Sequence, residues 1–309
     1  MPPRPPSVRH PLDFLRSRIV DGVNNLTTDS RRRIDYSLPP GDPGLFGPDA
    51  VCWQVHADFT SMLVGGVAAL LLQMLHPLAL AGVWDHSTFR DDIHGRLGRT
   101  ATFIAATTYG GRADALSLIE RVRKIHEHVR GVAPDGTPYA ANDPALLTWV
   151  HVAEMSSFLR AHLVYVNPTL SPQAQDQYYA ETARIAEMLG ARDVPRSRAD
   201  VAAYLLAQRP ALVCDARTRA VVDVLMRAPA PNPATWPAAR LLLHAGPDLL
   251  PDWAQAMLDL DRHVALRRAI VRTGVNAMAP VMRWALVNGV SKRARARVGA
   301  ARDETARDA

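Results

Sequence analysis

Residues 59–84 read FTSMLVGGVAALLLQMLHPLALAGVW, a run without a single Lys, Arg, Asp or Glu. A helix that is apolar all round belongs inside a protein or inside a bilayer, and a bilayer span needs ~20 mostly apolar residues. Gly65, Gly66, Gln73, His76 and Pro77 interrupt this one, and Pro77 ends or kinks the helix close to its neighbours. The reading is therefore a fully buried core helix over 57–75, a turn at His76-Pro77, and a short apolar piece to Val83, rather than a membrane span.

The rest of the chain supports a helical surrounding for that core. Of its 309 residues 48% are hydrophobic, 21% charged and only 6% aromatic, a soluble globular profile with an Ala and Leu bias that favours helix and leaves little room for sheet. The net charge of +6 is spread over many expected helices rather than gathered in one aromatic-interleaved patch, so no nucleic-acid partner is expected. The densest basic run, Lys292 to Arg297, reads as a solvated tail. Cys52 and Cys214 stand far apart and give neither a disulfide framework nor a metal spacing, which suits a reducing compartment. The N-terminal MPPRPPSVRHPLDFL lacks an apolar core of signal-peptide length, so the expected location is cytoplasmic, with peripheral membrane contact left open.

Punctuation along the chain places the helices. Residues 1–50 are rich in Pro, Gly and Asp and read as an arm draped over the body, with one helical candidate from Pro11 to Val23. Gly95 to Tyr109 is a helix closed by Gly110-Gly111. Asp114 to Arg130 is amphipathic with Gly131 just beyond, and 132–142 is a loop turning at Pro-Asp-Gly. Asp143-Pro144 and Ser171-Pro172 are N-caps followed by proline, opening helices to about Tyr165 and to Gly190. Ser197 with Asp200 resembles a capping box and opens a helix through Gln208. Past Ala228, APAPNPATWP reads as a linker before helices at about Pro237–His244, Asp252–Arg272 and Ala277–Val290. The fold class is all-α, a single domain of ~ten helices with a core at 51–227 and a C-terminal portion at 228–309 packed on it.

Polar side chains on these apolar segments mark the candidate site. Arg96, Arg99 and Thr100 stand at i, i+3 and i+4, so one helix face carries two guanidiniums and a hydroxyl, and Phe103 and Thr107 continue the stripe. Such arginines find an anion, whether a carboxylate, a phosphate or a haem propionate, or else a salt bridge to Asp85, Asp91 or Asp92. In the helix ending at Arg130, Val122, Ile125 and Val129 define the buried stripe and place His126 in it, with Glu127 and His128 off it. His126 and His128 diverge by ~200° and cannot share a metal. An inward histidine is either a ligand or a hydrogen-bonded core residue, and spacing leaves both open. His151 and Glu154, at i and i+3 with Leu147 and Phe158 on the same side, form a second pair in which the carboxylate could keep the imidazole basic or simply satisfy it. His76 and His86 flank the turn after the core helix and read as helix-ending groups.

Absences narrow the chemistry. There is no HExxH, and no glutamate has a histidine three residues on, so neither a zincin nor a carboxylate di-iron bundle is supported. CxxCH, GxGxxG, GxxxxGK[ST] and GxSxG are also missing, which argues against covalent haem, nucleotide binding and serine hydrolysis.

Several words in the same order, LLLQMLHPLALAGVWDHS, RLGRTATF, RVRKIHEHVRG, YAANDPALLTWVHVAEMSSFL and SPQAQDQYYAETARIAEMLG, resemble the oxygenase family of latex clearing protein, a rubber oxygenase, and the prenyl-chain oxygenase of mycophenolic acid biosynthesis. The resemblance runs from about Ala57 to Leu189. It implies an all-helical fold around a globin-like core, a non-covalent b-type haem, and oxidative cleavage of isoprenoid C=C bonds, or oxygen insertion, with dioxygen. By position His126 resembles the proximal haem ligand, and Arg96, Arg99 and Thr100 resemble a distal group of arginine, lysine and threonine. Arg99 stands where the lysine would be, and a guanidinium stays protonated, so the resemblance implies an open or water-bound distal side polarised by Arg99. Phe103 falls in the same cofactor-binding set, and His151 is the candidate for proton handling. Lacking an export leader, the chain suits a small hydrophobic substrate, prenylated or a secondary metabolite, better than polymer rubber. Two other classes stay open at this stage: a non-catalytic haem carrier or sensor, and a cofactor-free helical protein.

Overall fold

The computed structural model describes residues 16–20, 34–229, 236–260 and 264–307. Segment α1 covers 16–20, so part of the expected helix at Pro11–Val23 lies outside the described residues, as do residues 230–235 of the expected linker. The chain continues through α2 (Val51–Val55), α3 (Phe59–Gln73), α4 (Pro77–His86), α5 (Ile93–Tyr109), α6 (Arg112–His128), a hairpin of β1 (Arg130–Val132) and β2 (Pro138–Ala140), α7 (Pro144–Tyr165), α8 (Pro172–Leu189), α9 (Arg198–Gln208), α10 (Ala216–Met226), α11 (Trp236–Ala245), α12 (Asp252–Met257), α13 (Val264–Ala285) and α14 (Val290–Arg307). The architecture is all-α apart from that hairpin.

The uncharged run forms the centre, as expected. Asp58 caps α3 by accepting from the Ser61 amide at 2.8 Å, and every residue from Val67 to Gln73 is buried. Its partner is α7. Gly65 lies against Phe158 near the end of α7, and the Trp149 indole near its start donates to the Gln73 carbonyl at 3.0 Å, so the two helices run antiparallel. Helices α11 and α13 cover α3 from the C-terminal side and share its apolar core through Leu242, Val271 and Val275. At His76-Pro77 the chain turns through 107° into α4, and no single described helix is long and apolar enough to cross a membrane. The expected short apolar piece is a full helix to His86, with Pro77 at its first position.

Helices α5 and α6 are joined by Gly110-Gly111 into an antiparallel hairpin. Gly110 has an extended backbone, φ −64° and ψ 160°, so it is a corner and not the left-handed cap expected; Gly190, at φ 110°, is such a cap for α8. Asp143 and Ser171 cap α7 and α8 as their sequences promise. The loop expected at 132–142 is instead flanked by two three-residue strands, paired Arg130 with Ala140, Gly131 with Tyr139 and Val132 with Pro138; the turn at Asp135-Gly136 stands as expected.

The C-terminal helices depart most from expectation. The break expected between Arg272 and Ala277 is absent, and α13 runs through both Gly274 and Pro280. Gly274 serves a close approach: a Cβ there would lie 2.9 Å from both methyls of Leu241. The real break comes earlier, after α12, where Asp259 takes φ 55°. The basic run is part of α14, where Lys292, Arg293 and Arg295 are exposed as expected and Arg297 is not. Arg297 is 2% exposed and donates to the carbonyls of Asp42 at 2.8 Å, Tyr36 at 3.2 Å and Gly110 at 3.4 Å, holding α14 against residues 36–42 and the α5–α6 corner.

Candidate functional site

The open end of the α5–α6 hairpin gathers the candidate residues. Arg96 stands near the start of α5 and His126 near the end of α6, each about fourteen positions from the Gly110-Gly111 corner, so both lie at the same end, ~20 Å from it. The tail of α4 bridges that end. His86 Nε2 is 3.2 Å from the Arg130 carbonyl, while the next residue, Ser87, accepts from the Arg96 guanidinium at 3.1 Å. The β-hairpin closes the same region, with the Tyr139 hydroxyl donating to Asp85 at 2.6 Å.

Within α5 the expected polar face is divided. Asp92 caps the helix through the Gly95 amide at 2.7 Å. Arg96 and Thr100 are half-buried; the Thr100 hydroxyl donates back to the Arg96 carbonyl at 3.4 Å, and Phe103 continues their strip, half-buried against Leu45, Ala115 and Ile119. Arg99 turns outward, 51% exposed at its side chain and 3.8 Å from Asp92. The sequence offered an anion or an aspartate as arginine partners, and the structure gives the aspartate to Arg99 and a serine to Arg96.

His126 is half-buried on α6, below the buried Ala115, Leu118 and Ile119, and its Nδ1 is buried with no hydrogen-bond partner among the described residues. Burial lowers its pKa, so the ring is neutral. Val122 and Val129 share its stripe, but Ile125, expected there, is 50% exposed; the buried face passes through 119, 122 and 126 instead. His128 is exposed, its Nδ1 donating to the Lys124 carbonyl at 2.7 Å.

From α7 come His151 and Glu154, both half-buried. Burial pulls His151 down to about 4. Burial pushes Glu154 up to about 7, against the pull of the Arg96 charge, while the Arg96 guanidinium falls to about 10 through its own burial, with Glu154 acting in the opposite sense. Arg96 on α5 and Glu154 on α7 thus feel each other's charge. Burial alone is what moves His151, and it moves the ring toward the neutral form rather than the basic one that a neighbouring carboxylate could favour.

His76 occupies the N-cap position of α4 without capping it; its ring lies 5.8 Å from that of Trp149 and its Nδ1 is buried with no hydrogen-bond partner among the described residues. The broad surface depression of about 690 Å³ on the outer face of α6 is lined by Glu120, Arg121, Lys124, Ile125 and His128 among others, and includes none of Arg96, His126, His151 or Glu154. Among the described residues no three His, Cys, Asp or Glu side chains gather in a way that could hold a bare metal ion.

The family model for "ER-bound oxygenase mpaB/B'/Rubber oxygenase, catalytic domain" matches residues 53–306. The chain belongs to this oxygenase family. The match extends beyond Leu189, where the quoted words end, and beyond the weaker similarity at Ser197 to Gln208, and takes in α10 to α14. No curated protein and no solved structure matches the chain.

Sequence reasoning missed Ser87, the partner of Arg96, although it lies in the conspicuous word WDHS. It also missed a second buried network. His56 Nδ1 pairs with the Thr108 hydroxyl at 2.9 Å and its Nε2 with the Tyr178 hydroxyl at 2.8 Å, and Tyr178 sits 3.3 Å from the Met155 sulfur. These residues come from α8, α5, α7 and the end of α2, and no spacing along the chain announces their meeting.

Proposed function

We propose that this oxygenase works with a non-covalent b-type haem held by His126, and that it oxidises a small hydrophobic, isoprenoid-like or secondary-metabolite substrate with dioxygen, by C=C cleavage or oxygen insertion. The observation that carries the reading is His126 itself: a neutral, half-buried imidazole with an unpartnered buried ring nitrogen, at the hairpin end where Arg96 and Thr100 stand. A single axial histidine suffices for haem, whose porphyrin supplies the other four donors, so the lack of a three-residue ligand cluster is compatible with it. The residues present fit the group: His126 for the iron, the desolvated Arg96 for a propionate, and Phe103 two turns further along α5 as an apolar surface. This region of α5 to α7 would then be the globin-like core.

Bound there, haem would supply the activation of dioxygen that no amino-acid side chain provides. The chain's own residues do the rest. His126 offers a neutral nitrogen because burial keeps the proton off the ring. Ser87 fixes the Arg96 guanidinium, which contributes positive potential in a desolvated setting where charge acts strongly. Arg99, exposed and beside Asp92, is better placed to steer anions toward the site than to act inside it. Thr100, by donating to the Arg96 carbonyl, braces the first turns of α5. His151 stays neutral and offers one donor and one acceptor rather than a reservoir of protons.

The test is the visible spectrum of the purified protein, oxidised and reduced, with pyridine haemochrome quantification. A Soret band with one b-type haem per chain that His126→Ala abolishes is the expected result. Full haem retention in His126→Ala defeats the ligand assignment. Protein that stays colourless after reconstitution defeats the cofactor, and haem without uptake of dioxygen over a panel of isoprenoids reassigns the chain to carriage or sensing.

A further inference from the structure

Helix α13 turns an apolar stripe outward. Ile270 is 61% exposed and Trp284 40%, and Ala277 and Val281 between them are exposed as well. At ~100° per residue these four fall within ~60° of one another, while the buried Val271, Val275 and Ala279 take the opposite side of the helix. The stripe therefore runs ~20 Å along one edge, from Ile270 to Trp284. Loose placement of the helix does not account for it. Arg267 reaches Asp248 at 2.8 Å, Arg283 reaches Asp58 at 2.6 Å, and Gly274 packs closely on Leu241, so three contacts fix the rotation of α13. At its C-terminal end Arg16 of α1 donates to the Ala285 carbonyl at 3.2 Å and still leaves Trp284 open.

The charge around the stripe has one sign. Residues 264–302 hold nine Lys and Arg and no Asp or Glu. The other 270 residues hold 27 Lys and Arg against 30 Asp and Glu, so the positive excess of the whole chain is carried by this C-terminal segment. Arginines recur all along the sequence, and only the placement of the acids brings out the asymmetry. On α13 itself Arg283, with 46% of its side chain exposed, directly precedes Trp284. Shortly beyond, α14 adds the exposed Lys292, Arg293 and Arg295.

A second copy of the chain is a poor cover for this face, since a symmetric contact would set the acid-free segment against itself. A nucleic acid would engage the cations and leave the stripe wet. We propose that α13 seats the protein on an anionic lipid surface, its stripe entering the boundary between headgroups and acyl chains while the neighbouring cations meet the lipids' negative groups. Trp284 suits that boundary, its ring apolar and its N–H polar. The helix lies along the surface rather than through it, because its inner side is packed on α3, α7 and α11. Such seating holds the protein where hydrophobic molecules concentrate, and it does not depend on the haem reading.

The test sediments the full chain with vesicles of phosphatidylcholine, with and without phosphatidylglycerol, at low and at high salt. Binding to the anionic vesicles that falls as salt rises, with little on the neutral ones, is expected, together with a blue shift of tryptophan emission that Trp284→Phe removes. Ile270→Ser combined with Val281→Ser should weaken vesicle binding about tenfold or more. The urea midpoint of that double variant should stay near the parent's, because both side chains already face water. No sedimentation with anionic vesicles at low salt overturns the proposal. Equal binding by parent and double variant also overturns it, by showing that charge alone holds the protein and that the stripe lies off the surface. A parent dimer in solution that the double variant splits gives the face to a second copy, and duplex DNA that binds the parent where anionic vesicles do not gives the cations to nucleic acid; either result overturns the lipid assignment.

Discussion

At the scale of single residues, neighbours in sequence meet opposite fates. Arg96 and Arg99 stand one turn apart, yet one is desolvated beside Ser87 and the other lies in solvent beside Asp92. Helical spacing alone could not separate them, because 100° per residue places i and i+3 within ~60° of each other and the edge of the buried face falls between. The carboxyl and imidazole of α7 divide similarly: their nearness was plain in the sequence, while which of them carries the titration depends on burial that no spacing reveals. The His56 network makes the same point for stability. His56 is 8% exposed, and both its ring nitrogens are satisfied only by side chains from distant parts of the chain. Tyr178→Phe should therefore leave His56 Nε2 buried without a partner and lower unfolding stability by about 1–3 kcal/mol in urea titrations. A loss below ~0.5 kcal/mol would mean that the Met155 sulfur, not His56, is the hydroxyl's main partner.

At the scale of elements, what was legible and what was not follows from how far each signal reaches. The caps at Asp143 and Ser171, and the proline after each, act within one turn, and the helices they open begin where expected. The gap expected between Arg272 and Ala277 holds Gly274, but there α13 packs closely on Leu241 of α11 and stays continuous, and that contact is not local. The Asp215–Thr218 capping box that opens α10 is legible in the sequence, yet no expected helix covers Ala216–Met226. Between α3 and α7 the decisive position is Gly65. A Cβ added there would meet Phe158 Cδ1 at 2.9 Å, Phe158 Cα at 3.1 Å and Ala161 Cβ at 3.2 Å. The ring can rotate away, but the Cα belongs to the backbone and cannot. Gly65→Ala gains about 1 kcal/mol in helix propensity and loses about 1–3 kcal/mol to overpacking. The expected net effect is a lower urea midpoint, with α3 and α7 pushed apart; a midpoint at or above the parent's would show that the pair has slack.

At the scale of the whole molecule, buried titratable groups couple the fold to pH. His56 is pulled down to about 3 and His151 to about 4 by burial, from an ordinary value of 6.5. In the unfolded chain both take up protons as pH falls below about 6.5, whereas the folded chain refuses them. Their stabilising contribution is thus fully present above that value and is lost as pH falls, by up to ~1.4 kcal/mol per pH unit for each ring. Glu154 has the opposite sign. Its folded value of about 7 lies above the ordinary 4.5, so its contribution is present at low pH and is lost as pH rises between those values. From pH 6.5 to 4.5 the carboxyl offsets one of the two rings, and the other prevails, joined by His162, which burial also lowers. Thermal unfolding of the haem-free protein should accordingly show Tm falling as pH drops through that window. In Glu154→Gln the offset is gone and the fall should be steeper; a Tm that stays level or rises toward pH 4.5 would mean that these rings reach water in the folded protein.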